Sequence, residues 1–550
     1  MSGTRILVAG ATGVFGSRLA AGIVNTTDFD VILAGRTESS LRALAATFGK
    51  RASALVLDVQ SVTPETLAAA GAFAIADAAG PFQGSAPHLA RAAVAAGIHY
   101  IDLADARDFV ASFPALNEAA RSRGVTLLTG ASTTPALTNA ALDHITQGWR
   151  QIDTIEIAVS PGNRAPRGLS VVRAILSYSG NPVRVWINGG WQTHPGWGLT
   201  VRRALPGLGR RFLSLAETPD LDVVASRFAV KTAIFRAGLE LPVLHLGLLA
   251  ASLPVRARLL PSLAPFAPLL RRLANLFLRS GSDRGGMLVE AAGTDAAGNA
   301  VRAQWSLVAE AGDGPVIPTL PALAAIRALA AGKLTERGAF VCAGILPLAA
   351  IEAEFRSYRI AARQSTQPAP QALYQQALGA RFSSLPPPVQ RLHLPGAMLE
   401  ARGMARVEGA SSALARLIAS IMRLPRAAPE IPVSVTMTVA RGRETWRRDF
   451  GGRGFASVLS LARRRGQVTE RFGPLQFDMA LQTGPEGITG MPITAWRLGP
   501  IPLPLALAPA AEASETVDAA GRFTFDVAMR LPFGLGRVVR YQGWLVAAGG

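Results

Sequence analysis

Three glycines, Gly10, Gly13 and Gly16, stand at three-residue spacing directly after the apolar run Ile6-Leu-Val-Ala9. The run is short and rich in β-formers, so it reads as a buried parallel strand. From Val14 to Val24 apolar residues recur at helical spacing. Strand, glycine turn and helix in this order cradle a pyrophosphate. The first glycine permits the tight turn, the second lets backbone N–H groups approach the phosphates, and the third lets helix and strand pack closely. The helix N-terminus adds its partial positive charge. Thr12, Val14 and Phe15 complete the turn. About twenty residues on, the second strand, Asp30 to Ala34, runs into Gly35-Arg36. An acid at that point would bind the ribose 2′-OH of NAD, whereas Arg36 suits a 2′-phosphate, so the expected cofactor is NADP. The competing reading is a ligand-free glycine turn followed by a solvated arginine.

Further candidates follow at successive strand ends. Asp58-Val59 closes a third strand, Ala52 to Leu57, where an acid can bond an adenine amino group or cap the next element. Gly80-Pro81-Phe82 forms a turn after the fourth strand. Tyr100, Asp102 and Asp105 lie at the fifth strand end, and Ser132 and Thr133 at the sixth. These five are the candidates for the proton transfer that accompanies a hydride step. Asp102 and Asp105 could position a substrate amine or cap the following loop. The Tyr-x-x-x-Lys dyad of short-chain dehydrogenases is absent: four residues after Tyr100, Tyr178, Tyr358, Tyr374 and Tyr541 stand Ala104, Pro182, Ala362, Leu378 and Leu545. Cys342 is the single cysteine and the six histidines are scattered, so neither a disulfide nor a metal site is expected.

The elements that must position these residues alternate. Helices at Leu41–Phe48, Pro64–Ala70, Ala86–Ala96 and Phe113–Arg123 separate the strands, which predicts a doubly wound parallel Rossmann sheet over residues 1–140. From 141 to 360 the texture becomes that of a mixed α+β substrate and dimerisation domain, with a returning helix at Pro321–Ala331. Within it, residues 238–278 combine many Leu with five Pro and several Arg. That composition fits a helical hairpin lying in a membrane interface, or an ordinary pair of helices covering the sheet or forming a dimer contact. Residues 361–371 are polar and aperiodic and read as a linker. Residues 372–550 carry a helix at Ser411–Met422 and alternating segments that include Arg443–Phe450, Gln467–Phe472, Leu475–Thr483 and Gly487–Leu498, predicting a mainly antiparallel β domain. With that helix across its mouth, such a sheet would enclose an apolar ligand, or be solid and serve dimerisation.

Several of these stretches resemble the saccharopine dehydrogenase-like oxidoreductases: Val14-Phe15-Gly16, Ala34-Gly35-Arg36, Gly80-Pro81-Phe82, His99-Tyr-Ile-Asp-Leu-Ala-Asp105 and Gly130-Ala-Ser-Thr-Thr-Pro-Ala-Leu137. The resemblance spans roughly the first two-thirds of the chain. It implies an NADP-binding Rossmann domain followed by a substrate domain inserted before a returning segment; it does not imply saccharopine as substrate. Thr12-Gly13-Val-Phe-Gly16 also fits the atypical short-chain dehydrogenases, the alternative for this domain. Trp446-Arg-Arg-Asp-Phe-Gly-Gly-Arg453, Glu470-Arg-Phe-Gly-Pro474 and Tyr541-Gln-Gly-Trp544 resemble the uncharacterised domain that recurs after such modules.

At 550 residues the chain is too long for one core. Its net charge of +19 comes almost wholly from scattered arginine, since Lys occurs only at positions 50, 231 and 333. Without a basic stripe interleaved with aromatics, no nucleic-acid partner is expected. No apolar run reaches the roughly 18 residues that span a bilayer. The expectation is a cytoplasmic NADP-dependent oxidoreductase, homodimeric, acting on an unidentified small molecule for which a lipid-like substrate is one candidate, with peripheral membrane contact through 238–278. The alternative is a membrane-associated scaffold that holds NADP as a structural or sensing ligand.

Overall fold

The computed structural model describes residues 4–547, apart from Arg167, Asn188, Pro370, 395–397 and Arg441. The ends of the expected first and last domains, 1–3 and 548–550, lie outside the described residues. The chain divides into two compact units, one of Met1–Trp186 and Trp191–Pro368, the other of Ile187–Gly190 and Ala369–Gly550.

The first unit opens with β1 (Arg5–Ala9), α1 (Val14–Thr26), β2 (Asp30–Gly35), α2 (Glu38–Phe48), β3 (Ala52–Val56), α3 (Pro64–Ala70), β4 (Ala74–Asp77), α4 (His88–Ala96) and β5 (His99–Asp102). Next come α5 (Arg107–Ser112), α6 (Asn117–Ser122), β6 (Thr126–Thr129) and α7 (Thr138–Ile145). The helix expected over Phe113–Arg123 is thus broken. Pro114 has no N–H to donate, and the chain passes through a 3₁₀ turn at Phe113–Leu116. The apolar strands β1 and β4 are buried along almost their whole length, as parallel strands covered on both faces must be.

The middle of the unit comprises β7 (Gln151–Ser160), α8 (Leu169–Tyr178), β8 (Pro182–Ile187), β9 (Gly190–Pro195), β10 (Val201–Leu205), β11 (Gly209–Leu215), α9 (Asp220–Arg227) and β12 (Thr232–Ala237). It continues with α10 (Pro242–Ala251), α11 (Leu253–Arg256), α12 (Ala267–Asn275), β13 (Gly285–Thr294) and β14 (Ala300–Ala309). These strands build a mixed sheet in the order β10-β11-β12-β7-β13-β14, in which β12 and β7 run parallel and their neighbours antiparallel. The chain then returns through α13 (Leu320–Ala330), which packs against α1, to β15 (Gly338–Val341). β15 pairs in parallel with β6, giving a seven-stranded sheet in the order β15-β6-β5-β4-β1-β2-β3. After α14 (Leu348–Ala353), residues expected as linker form β16 (Ile360–Pro368), which pairs antiparallel with the whole of β14. As an edge strand it needs ladder hydrogen bonds more than apolar side chains, so a polar stretch suffices. The connection between the units is correspondingly shorter than the expected 361–371.

The second unit starts with α15 (Leu373–Leu378) and α16 (Pro387–Leu392), followed by β17 (Met398–Glu408) and α17 (Ala413–Ile421). Strands β18 (Ala428–Ala440), β19 (Arg443–Phe450), β20 (Arg453–Leu461), β21 (Gln467–Phe472), β22 (Leu475–Ala480), β23 (Gln482–Gly484) and β24 (Gly487–Gly490) come next. Finally β25 (Ile493–Leu498), β26 (Ile501–Leu503), β27 (Ala510–Val517), β28 (Phe523–Arg530) and β29 (Arg537–Ala547) complete a 13-stranded, wholly antiparallel sheet. α15 packs on β20 and β21 while α16 packs on β27 and β28, strands from opposite arms of the sheet. The sheet therefore wraps around these two helices, whose Leu373, Tyr374, Val389 and Leu392 join its core together with Phe382 from the 3₁₀ turn between them. Side chains of the two helices pack on that face of the sheet. The helix expected as a lid, α17, instead leaves Leu414, Leu417 and Ile421 exposed.

Candidate functional site

The glycine turn between β1 and α1 has the form that a phosphate cradle requires. Gly10 takes φ +69°, and a Cβ there would lie 2.8 Å from the Ala78 carbonyl oxygen. A Cβ at Gly16 would sit 2.2 Å from the Gly10 oxygen, so only glycine lets α1 approach β1 this closely. A Cβ at Gly13 would meet only that same oxygen, at 3.1 Å, leaving its outward side open. Gly13 caps α1, no side chain accepts a bond from the first turn, and that turn contains no acid. The first-turn N–H groups are thus available to an anion.

Neighbouring strands bring the other cofactor candidates to the same edge. Ala9 pairs with Ala34, and the Ala11 N–H donates to the Ala34 oxygen at 3.1 Å, which holds the end of β2 against the turn. Arg36 follows, exposed and engaged in no ion pair among the described residues. Leu57 N–H donates to the Gly35 oxygen at 2.9 Å, so Asp58 and Val59 flank the next strand end. The Asp58 carboxylate accepts from the Gln60 N–H at 3.0 Å, which makes it a turn former. On the other side of β1, Gly80 and Pro81 are exposed, while Phe82 is buried against Phe109 with ring centroids 5.0 Å apart.

The proton-transfer candidates divide by exposure. Tyr100 is fully buried, and its hydroxyl donates to Asp77 Oδ2 at 2.8 Å. Burial, reinforced by Asp77, holds that hydroxyl well above the usual phenol range. Asp102 is equally buried; its Oδ1 accepts from Gly130 N–H at 2.7 Å, Ala104 N–H at 2.9 Å and the Thr129 hydroxyl at 3.0 Å. It locks the ends of β5 and β6 together, and burial raises its carboxyl to about 7. Its Oδ2 has no hydrogen-bond partner among the described residues. Burial, helped by Asp102, also pushes the Cys342 thiol up to about 12. Asp105, by contrast, is exposed and accepts from Gln83 Nε2 at 3.1 Å. Ser132 is buried and Thr133 half-buried at the next strand end.

Groups that local sequence reasoning missed face this edge from the inserted domain. α8 begins beside the glycine turn, where a Cβ on Gly168 would lie 3.7 Å from Val14 Cγ2. It ends at buried Tyr178, whose phenol is raised by burial and by Asp105 and Glu217. Glu217 is half-buried, and burial raises its carboxyl. Arg107 binds the Asp222 carboxylate through two nitrogens and the Arg184 carbonyl at 2.9 Å, tying the start of α5 to α9 and β8. Asp220 accepts from the Thr138 hydroxyl at 2.6 Å and Asn139 Nδ2 at 3.0 Å, and burial raises it to about 7. No motif marks these residues, because their partners are long-range.

Two further features lie elsewhere. A cavity of about 320 Å³ on the mixed sheet is lined by Arg203, Leu205, Leu288, Glu290, Arg302 and Gln304. In the second unit, His393 Nε2 lies 2.5 Å from Glu515 Oε2 and its ring stacks on Tyr374 at 3.6 Å. Among the described residues no group of His, Cys, Asp and Glu could hold a metal ion.

Residues 6–144 match the family described as the saccharopine dehydrogenase NADP binding domain, and residues 385–545 match a domain of unknown function, DUF4166. Among solved structures, apo saccharopine dehydrogenase (L-Glu forming) from Saccharomyces cerevisiae aligns with TM-score 0.50 and 14% identity, over 66% of this chain and 100% of that one. About two-thirds of this chain therefore shares that fold. Serine dehydrogenase from Escherichia coli aligns over 23% of this chain and 81% of its own, with 15% identity and TM-score 0.18. PbgP3 protein from Burkholderia pseudomallei aligns over 18% of this chain and 38% of its own, with 19% identity and TM-score 0.15. No curated protein matches the chain.

Proposed function

We propose that this chain, which carries a saccharopine dehydrogenase NADP-binding domain, is an NADP-dependent oxidoreductase acting on a small molecule. The observation that carries this reading is the pairing of an open glycine turn at Gly13, with no side-chain cap, with an Arg36 at the adjoining strand end that is exposed and has no ion pair among the described residues. The residues fit the cofactor: a Cβ at Gly13 would project into the space that a pyrophosphate needs, and Arg36 supplies a phosphate-binding fork. Backbone N–H groups of Val14, Phe15 and Gly16 would hold the pyrophosphate, while the Gly13 N–H closes the turn on the Gly10 oxygen at 2.9 Å. Asp58 and Val59 would flank the adenine end, and Gly80, Pro81 and Phe82 wall the neighbouring strand end. When bound, the nucleotide supplies hydride chemistry.

The chain's own part is orientation and proton handling. Tyr100 and Asp102 are committed inside the fold, where they set the shape of the strand ends. Asp105 reaches the surface of that edge with Gln83 as its hydrogen-bond partner, and we assign it the proton exchange with substrate. Glu217 and Tyr178 complete the polar lining from the inserted domain.

The test is label transfer. Full-length protein is incubated with a small-molecule extract and NADPH carrying deuterium at the transferable position, and the extract is then surveyed by mass spectrometry. Deuterium in a small molecule with wild-type protein, and none with Gly13→Val, supports an oxidoreductase. Tight NADPH binding without label transfer or NADPH consumption would instead support the scaffold or sensor role.

A further inference from the structure

The helical layer formed by α10, α11 and α12 carries two apolar faces. Its inner face is accounted for: Val255, Leu263 and Ala267 pack with Leu176 of α8 in a small core of their own. The outer face is not. Leu253, Leu259, Phe266, Leu269, Leu273 and Leu276 are exposed, Leu259 and Leu276 to 77%. On α12 and its C-cap, Leu269, Leu273 and Leu276 fall at helical spacing on one stripe, opposite buried Ala267. Contiguous exposed apolar side chains of this number mark an interaction surface.

The charge around the face identifies the occupant. Between Glu240 and Asp283 the chain contains no acid and five arginines: Arg256, Arg258, Arg271, Arg272 and Arg279. Among the described residues, Arg258, Arg271 and Arg272 form no ion pair or side-chain hydrogen bond with the protein. An exposed apolar layer whose own charged side chains are all of one sign suits a surface that is itself apolar inside and anionic outside. No helix among the described residues is long and apolar enough to cross a membrane, so contact would be along the surface. We propose that α10–α12 seat this protein on an anionic lipid bilayer, with the leucines in the acyl boundary and the arginines at the phosphates. A second copy of the chain would bring a like positive surface against this one, with no acid in the layer to offset it.

The experiment is co-sedimentation of the full-length protein with vesicles of phosphatidylcholine alone and of an equal mixture with phosphatidylglycerol, with light scattering for oligomeric state. Wild-type protein is expected to bind the mixed vesicles, and less well at high salt. Arg258→Ser and Arg272→Ser should each weaken binding about fivefold. The combined variant Leu269→Ser, Leu273→Ser, Leu276→Ser should abolish it, as should Leu253→Ser with Leu259→Ser. These side chains are outside the core, so NADPH affinity and melting temperature should hold in at least one of the two leucine variants. Absence of wild-type binding to the mixed vesicles overturns the proposal, and so does binding that survives both leucine variants. So does a wild-type oligomer, unbound to vesicles, that becomes monomeric in the leucine variants.

Discussion

At the scale of single residues, the glycines of the turn separate folding from binding. At Gly13 an added side chain meets only one backbone oxygen at 3.1 Å, so Gly13→Val should keep its melting temperature within a few degrees. It should lose NADPH binding altogether, as read by nucleotide fluorescence. At Gly16 a methyl would overlap the Gly10 oxygen at 2.2 Å, so Gly16→Ala should cost about 2–3 kcal/mol of stability in denaturant melts. Buried acids give a second residue-level expectation. Asp102 and Asp220 are raised by burial to about 7, from 3.8 in an unfolded chain. Between those values the folded state binds more protons than the unfolded one, so stability falls as pH rises from about 4 to 7. Each group contributes a slope of up to about 1.4 kcal/mol per pH unit. Asp102→Asn keeps the Oδ1 acceptor for Gly130, Ala104 and Thr129 and should flatten this dependence. An unchanged slope in urea melts across that range would show that the carboxyl stays ionised in the folded protein.

At the scale of elements, what could be read in the sequence tracks locality. The strand–turn–helix of residues 5–26 and the Arg36 strand end are written in contiguous residues with a fixed period, and the fold places them as expected. Apolar-polar alternation likewise announced strands such as Arg443–Phe450 and Gln467–Phe472. β16 was missed because an edge strand is held by its ladder to β14 and shows almost no periodic burial of its own. The 475–483 segment split after Ala480, where the chain steps from β22 to β23, and the 487–498 segment split at Pro492. At the site, Asp220 and Arg107 were illegible for a related reason: their partners are 82 and 115 residues away. β15 shows the same dependence on a distant segment, since it closes the open edge of β6 and its flank bonds Thr126 through the Glu336 carbonyl at 2.6 Å. A fragment ending at 331 should therefore expose β6 and aggregate, while one ending at 368 stays monodisperse in gel filtration. Equal solubility of the two would show that β15 is dispensable.

At the scale of the whole molecule, the candidate cofactor residues all fall in the first unit, and the second has its own core. A 1–368 fragment should thus bind NADPH within about twofold of the full chain's affinity, and a 369–550 fragment should show an antiparallel-sheet circular dichroism spectrum without binding it. The central claim is that the glycine turn and Arg36 together select NADP, and paired fluorescence titrations of the full chain with NADPH and NADH test it most directly. Wild-type protein should bind NADPH tighter by about tenfold or more, the worth of a charge-assisted phosphate contact. Arg36→Asp should lose or reverse that preference. Equal wild-type affinities, or a preference for NADPH that survives Arg36→Asp, would contradict it.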